Sequence, residues 1–224
     1  TSAYIDIVVG VFMILFGANF SLYYLILLGN IRTALRNEEL RWFLGIIAFA
    51  VLTIAFDIRN LYGGVGHALR YSFFQVTSII STTGFATADF NLWPEYSKFL
   101  LVLLMFIGAC AGSTGGGMKC SRILLLGKSV TKELMFFIHP RLVRVNKMDG
   151  QRVPHEVMRS INVFVVAYAF IFILSLLIIS LNCEDLVTCF TSVATTLNNV
   201  GDLVGTAVVA RSLDRMDMDV YNKK

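Results

Sequence analysis

The sequence predicts an all-α polytopic membrane protein built from repeated units, each a membrane span, a short re-entrant segment and a second span. Three observations carry this. The chain is 56% hydrophobic and only 15% charged, with a mean hydropathy of +0.71, whereas soluble domains run at about 45–50% apolar and 25% charged. The basic residues are gathered into two linkers. Finally, a segment of Phe, Ser, Thr and Gly occurs twice at a constant offset.

Residues 4–28, 98–126 and 161–181 are each apolar enough and long enough to cross a bilayer, which takes about 20 residues. Residues 42–56 form a shorter apolar run that continues through 58–62 if tilted. The first stretch lacks a basic leader and a small-residue cleavage site, so it reads as a span and not as a signal peptide. Thr1 in first position points to a start upstream.

Basic residues mark the cytoplasmic flanks of spans. Residues 30–41 carry Arg32, Arg36 and Arg41; residues 127–159 carry Lys128, Lys132, Arg141, Arg144, Lys147, Arg152 and Arg159. The other connections are poor in Lys and Arg. With both basic linkers inside, the spans alternate in direction only if residues 68–90 enter and leave on the outer side.

Residues 68–80 would make one short helix, too short for a span. Ser81-Thr82-Thr83-Gly84-Phe85-Ala86-Thr87 follows, a poor helix former with a glycine at its centre. Irregular backbone at membrane depth survives only inside protein or along a water-filled cavity. A short helix leading into such a strand can aim carbonyl oxygens at an axis, where they replace the hydration shell of a cation. Gly84 supplies the backbone freedom that this needs. A plain outer loop with a Thr-Gly turn is the competing reading. The repeat favours the first: Phe73 to Gly84 aligns with Phe190 to Gly201, and each copy follows a span and a short outer linker. Repetition of this unit argues for a pore around a pseudo-symmetry axis.

The span over residues 98–126 contains Gly108-Ala109-Cys110-Ala111-Gly112-Ser113-Thr114-Gly115-Gly116-Gly117-Met118-Lys119. Each interior glycine costs a helix about 1 kcal/mol against alanine, so Gly115, Gly116 and Gly117 together should break it. Gly108 and Gly112 have the four-residue spacing of close helix packing, which leaves Ser113 to Gly117 as the break. The break lies on the cytoplasmic side of the re-entrant strand, where a polar plug can gate a pore. A phosphate-binding loop is ruled out by Met118 between Gly117 and Lys119 and by the membrane context. Lys119 and Arg122 are expected to reach toward the inner interface.

Cys110, Cys120, Cys183 and Cys189 lack metal-ligand spacing and read as buried membrane cysteines. His67, His139 and His155 lie outside the spans, and His155-Glu156 does not extend to a zinc-protease motif. No enzyme is expected, and no nucleic-acid partner.

The run from Ser81 to Phe90, then Trp93-Pro94, then Phe106-Ile107-Gly108 and Gly112 to Lys119, closely resembles the third repeat of TrkH-type potassium uptake subunits of the Trk/Ktr/HKT family. The resemblance extends over roughly residues 1–201. It implies four span–pore loop–span repeats folded into one pseudo-fourfold pore, incomplete in this chain. Residues 1–29 resemble the closing helix of the second repeat, with 30–41 a cytoplasmic linker. Residues 42–126 resemble the complete third repeat, 127–159 a basic cytoplasmic linker, and 160–201 the first span and pore loop of the fourth. The resemblance implies potassium transport through a filter at Thr82, Thr83 and Gly84 with Asn199, Val200 and Gly201. It makes Gly112, Ser113, Thr114, Gly115, Gly116 and Gly117 an intramembrane gating loop. It further implies multi-pass insertion in the bacterial cytoplasmic (inner) membrane, a homodimer, a cytosolic nucleotide-binding regulatory subunit, and potassium as transported ligand with no covalently bound cofactor. Positive-inside topology accounts for the basic linker as well as a regulatory contact does. Residues 202–224 depart from the family pattern: Asp202-Leu203 follows Gly201, and the tail then becomes charged where a closing helix is expected. A truncated, non-conducting assembly fragment is the alternative reading of the chain by itself.

Overall fold

The computed structural model describes residues 2–139, 145–181 and 185–200. Gly201, Cys183 and the polar tail lie outside these residues. The regular structure of the described residues is helical apart from one hairpin, and the core is assembled around a central span.

That span is α4 (Glu38–Ile58), 21 residues long. At 1.5 Å per residue it reaches about 30 Å, the thickness of the bilayer hydrocarbon. It starts four residues before the expected span because Asn37 caps it, its side chain accepting from the Leu40 N–H. Phe43, Ile47, Ile54 and Ile58 turn inward from α4. They pack in one cluster with Val76, Ile79 and Ile80 of α5 (Val65–Ile80), Leu101 and Leu104 of α6 (Glu95–Ile107), and Val193 and Ala194 of α9 (Leu186–Asn198).

α5 and α9 are the two short helices anticipated from the repeat. A second span is α8 (His155–Ser180), which with α4 is long and apolar enough to cross a membrane. Phe106 of α6, Phe172 of α8 and Phe190 of α9 meet with ring centroids 5.1–5.9 Å apart, joining the first unit to the second.

Two expected spans are not continuous helices. Residues 4–28 fold as α1 (Ala3–Gly17) and α2 (Phe20–Leu27), bent by 92°. The cause is Asn19, whose side chain accepts from the Ser21 N–H and so starts a new helix. Residues 98–126 fold as α6 and α7 (Cys120–Ile138), separated by a twelve-residue loop. α7 runs well past Leu126, into the linker read as cytoplasmic. A short helix, α3 (Ile31–Arg36), fills the first basic linker. The second linker contains a hairpin, β1 (Lys147–Met148) against β2 (Gln151–Arg152). Its Asp149-Gly150 turn has positive φ at both residues, 50° and 79°, which suits this pair in a two-residue loop.

α1 packs along α5 and is pinned there by charge. Arg70 on α5 donates from Nε to Asp6 Oδ2 at 2.7 Å and ion-pairs with it through NH2 at 2.6 Å. Asp6 is 1% exposed. Removing one partner of such a pair strands the other charge in low dielectric, at a cost of about 3–5 kcal/mol. Asp6→Ala is therefore expected to lower the thermal stability of the detergent-solubilised protein by that order, read as a clear drop in melting temperature. Asp6→Asn, which keeps an acceptor for Arg70, should lose less.

Candidate functional site

The two short helices end identically. Positions in the two copies are separated by 117 residues throughout. Thr82 and its counterpart Asn199 are both in the left-handed region, at φ 61° and 53°. The Thr82 N–H donates to the Ile79 carbonyl, and the Asn199 N–H to the Thr196 carbonyl. The Thr83 N–H donates to Ser78 and the Val200 N–H to Thr195, both at 2.9 Å. This is the Schellman arrangement, closing the helix and sending the chain off at a fixed angle. Glycine usually takes the left-handed position, because a side chain there costs about 1–2 kcal/mol. Both copies instead carry a polar side chain.

Among the described residues, no backbone N–H donates to the carbonyls of Thr82, Thr83, Gly84 or Asn199. Gly84 turns the first strand, with φ 78°. Gly84 and Val200 come together across one small cavity of about 10 Å³, bounded also by Gln75, Ser78 and Met105. The first strand is braced from behind by Ser78, whose Oγ donates to the Phe85 carbonyl at 2.6 Å, and by a Ser81–Thr83 hydroxyl contact of 2.8 Å.

The break between α6 and α7 lies against both helix ends. Its Gly116 N–H donates to Thr82 Oγ1 at 2.8 Å. A Cβ on Gly115 would stand 3.2 Å from the Ser81 carbonyl oxygen, and one on Gly116 would stand 2.4 Å from that of Asn198. Gly117 faces the Asn198 side chain, whose Oδ1 accepts from the Tyr168 hydroxyl at 2.8 Å. All three positions are crowded: Gly115 and Gly116 meet backbone oxygens, one from each copy, and Gly117 meets the Asn198 side chain.

The break begins earlier than the expected Ser113. Gly108 has φ 63° and ends α6, and Gly112 has φ 70°. They are loop residues, not helix-packing glycines, because the first turn of the loop folds back until Gly108 meets the carbonyls of Gly116 and Met118. Lys119 also departs from expectation. Its Nζ donates to the Gly115 carbonyl inside the loop. Arg122 stacks over the Phe164 ring of α8, 4.0 Å from the centroid.

The loop backbone finds its partners in two places that sequence reasoning missed. One is the α1–α2 bend. Cys110 N–H donates to the Gly17 carbonyl at 3.0 Å, Thr114 N–H to Phe16 at 3.4 Å, and Phe20 N–H returns a bond to Gly112 at 3.1 Å. The other is Glu39, 3% exposed, whose Oε1 accepts from the Ala111 N–H at 2.7 Å and the Ser121 N–H at 2.9 Å. The linker holding Glu39 draws attention through its arginines; an acidic residue at the start of a span was the available signal.

Thr82 and Asn199 are therefore brought beside Gly115 and Gly116, Gly84 and Val200 meet each other across the small cavity, and Gly112 and Thr114 bond to the α1–α2 bend. Gly201 is outside the described residues. Among those residues, no cluster of His, Cys, Asp and Glu suited to a metal ion is present.

Two re-entrant helices with matched polar ends, both abutted by an interrupted span, define a repeated pore-loop membrane protein. A family model described as TrkH, a cation transport protein, matches residues 1–217, and the chain belongs to that family. It is 36% identical over 216 residues to the Trk system potassium uptake protein TrkH of Salmonella typhimurium, covering 95% of this chain and 44% of that one. It is 32% identical to the Trk system potassium uptake protein TrkG of Escherichia coli, covering 88% and 41%. The crystal structure of the potassium transporter TrkH from Vibrio parahaemolyticus superposes with a TM-score of 0.84 at 35% identity, over 89% of this chain and 44% of that one. The chain thus spans a little under half the length of these relatives.

A methyl group on Gly116 cannot be accommodated without moving the backbone of Asn198 or of the loop. Overpacking of this kind costs about 1–3 kcal/mol. Gly116→Ala is expected to destabilise the detergent-solubilised protein by that amount, measured by thermal unfolding. Gly127→Ala, whose Cβ would meet nothing within 4 Å on α7, should not.

Proposed function

We propose that this chain supplies part of a potassium pathway across the cytoplasmic membrane. Thr82, Thr83, Gly84, Asn199, Val200 and Gly201 are its filter residues, and residues 112–117 the loop that controls conduction. The observation that carries the reading is the matched pair of helix ends, each turning through a left-handed polar residue, with the carbonyls of Thr82, Thr83, Gly84 and Asn199 accepting from no backbone N–H among the described residues. Carbonyl dipoles of this kind compensate a cation for lost hydration. Entry is driven by a negative interior potential, worth about 2.3 kcal/mol per charge per 100 mV. The loop restricts passage because it meets both copies on their inner side; conduction requires it to move, and its many glycines lower the barrier to that rearrangement.

The relatives are named as potassium uptake proteins, which favours potassium over other cations. The transporting unit is the longer protein, working as a homodimer with a cytosolic nucleotide-binding regulatory subunit. The basic linker over residues 127–159, with its hairpin and the extended α7, is the surface proposed to meet that subunit.

The test uses the full-length protein in lipid vesicles, with rubidium uptake competed by potassium or sodium. Gly84→Ser places a side chain at φ 78°, a strain of about 1–2 kcal/mol, equivalent to roughly tenfold in an equilibrium. A comparable fall in potassium-over-sodium discrimination is expected. Discrimination equal to that of the unsubstituted protein, with uptake intact, removes Gly84 from the filter.

A further inference from the structure

Helix α7 has to restart inside the protein with no cap of its own. Lys119 occupies its N-cap position and supplies no side-chain hydrogen bond. The first N–H groups of a helix need acceptors, and its positive end favours an anion. Glu39 provides both from a different helix. The oxygen that accepts from Ser121, in the first turn of α7, also accepts from Ala111, ten residues earlier in the loop. One carboxylate oxygen therefore ties the entry of the loop to its exit.

The neighbouring residues hold something else. Glu38 forms an ion pair of 2.5 Å with Lys128 of α7. The Glu38 N–H donates to Asp149 Oδ1 at 2.7 Å, and Asn37 Nδ2 donates to Asp149 Oδ2 at 2.8 Å. The Asp149 N–H returns a bond to Glu38 Oε2 at 3.3 Å. The start of α4 is thus fastened to the hairpin turn of the second linker on one side and to the membrane loop on the other, through consecutive residues.

We infer that Glu39 is the positioning residue of the loop, and that the Asn37–Glu38 contacts with Asp149 make the loop's conformation responsive to the hairpin. Displacing the hairpin shifts the first turn of α4, and a carboxylate with two donors cannot shift without loosening one end of the loop. The consequence for ion flux rests on the proposed role of the loop; the positional claim does not.

The sequence contains its own reporters. Cys110 immediately precedes Ala111, Cys120 immediately precedes Ser121, and both are buried. Buried Cys189, on α9, is an internal control. The full-length protein in vesicles is treated with a membrane-permeant maleimide, and labelling of each cysteine is followed by peptide mass spectrometry alongside rubidium uptake. In Glu39→Ala, Cys110 and Cys120 should label about tenfold faster or more, the order that a hydrogen bond to a charged group contributes. Cys189 should be unchanged. Glu39→Gln keeps an acceptor of the same reach but loses the charge, and should label at an intermediate rate. Asp149→Gly preserves a turn-forming residue while deleting both acceptors, and should accelerate the same two cysteines.

Unchanged rates at Cys110 and Cys120 in Glu39→Ala overturn the assignment, as does equal acceleration of Cys189, which signals general loosening. If Glu39→Ala fails to insert, Glu39→Gln decides by the same criteria. Unchanged labelling in Asp149→Gly overturns the link to the hairpin. Faster labelling with unaltered uptake supports the positional claim and counts against the loop as the element that controls conduction.

Discussion

Everything in this structure answers to one demand: a peptide backbone that stops being helical within a membrane must still have its polar groups satisfied by protein. The loop between α6 and α7 is where the demand is sharpest. Its N–H groups go to a buried carboxylate on α4, to carbonyls at the end of α1, and to a hydroxyl at the end of α5. Those three acceptors fix how α1, α4 and α5 are disposed around it. The bend of 92° that Asn19 starts in the first segment serves the same need. A straight helix over residues 4–28 would keep the Phe16 and Gly17 carbonyls for itself.

The arrangement also separates what must be rigid from what can change. α4, α5, α6 and α9 share one apolar cluster, so the two re-entrant helices rest on a common packed base. The loop enters that base with Ala109 and Cys110, and from Gly115 to Gly117 it meets the helix ends through a hydrogen bond and glycine backbone. Packed side chains resist graded displacement; a glycine-rich strand held by a few polar contacts exchanges them at much smaller cost. A rigid pair of helix ends beside an element of this kind is the combination a controlled ion pathway requires.

Much of this was legible in the sequence, for identifiable reasons. The short helices were readable because the run from Phe73 to Gly84 is too short to span and recurs at Phe190. The interruption was readable because three adjacent glycines override any helical context. The bend at Asn19 was not, because Asn within an apolar run predicts nothing until its side chain is seen capping the next helix. Gly108 and Gly112 were misplaced because their spacing fits two structures equally well, a packed helix and a folded loop. Glu39 was missed because its role depends on two N–H groups more than seventy residues away. Local pattern carries the elements; it does not carry the partners that an irregular backbone recruits from a distance.

The two helix ends share their backbone, yet Ser81 and Thr82 in one copy correspond to Asn198 and Asn199 in the other. In an assembly of identical subunits, one codon change alters every equivalent position together, so a ligand ring is remade all at once or not at all. Here the equivalent positions are separately encoded. Each can acquire its own neighbour, as Thr82 has with Gly116 and Asn198 has with Tyr168. Inheritance can therefore adjust the helix ends one copy at a time, and the asymmetry between the copies is the raw material for that adjustment.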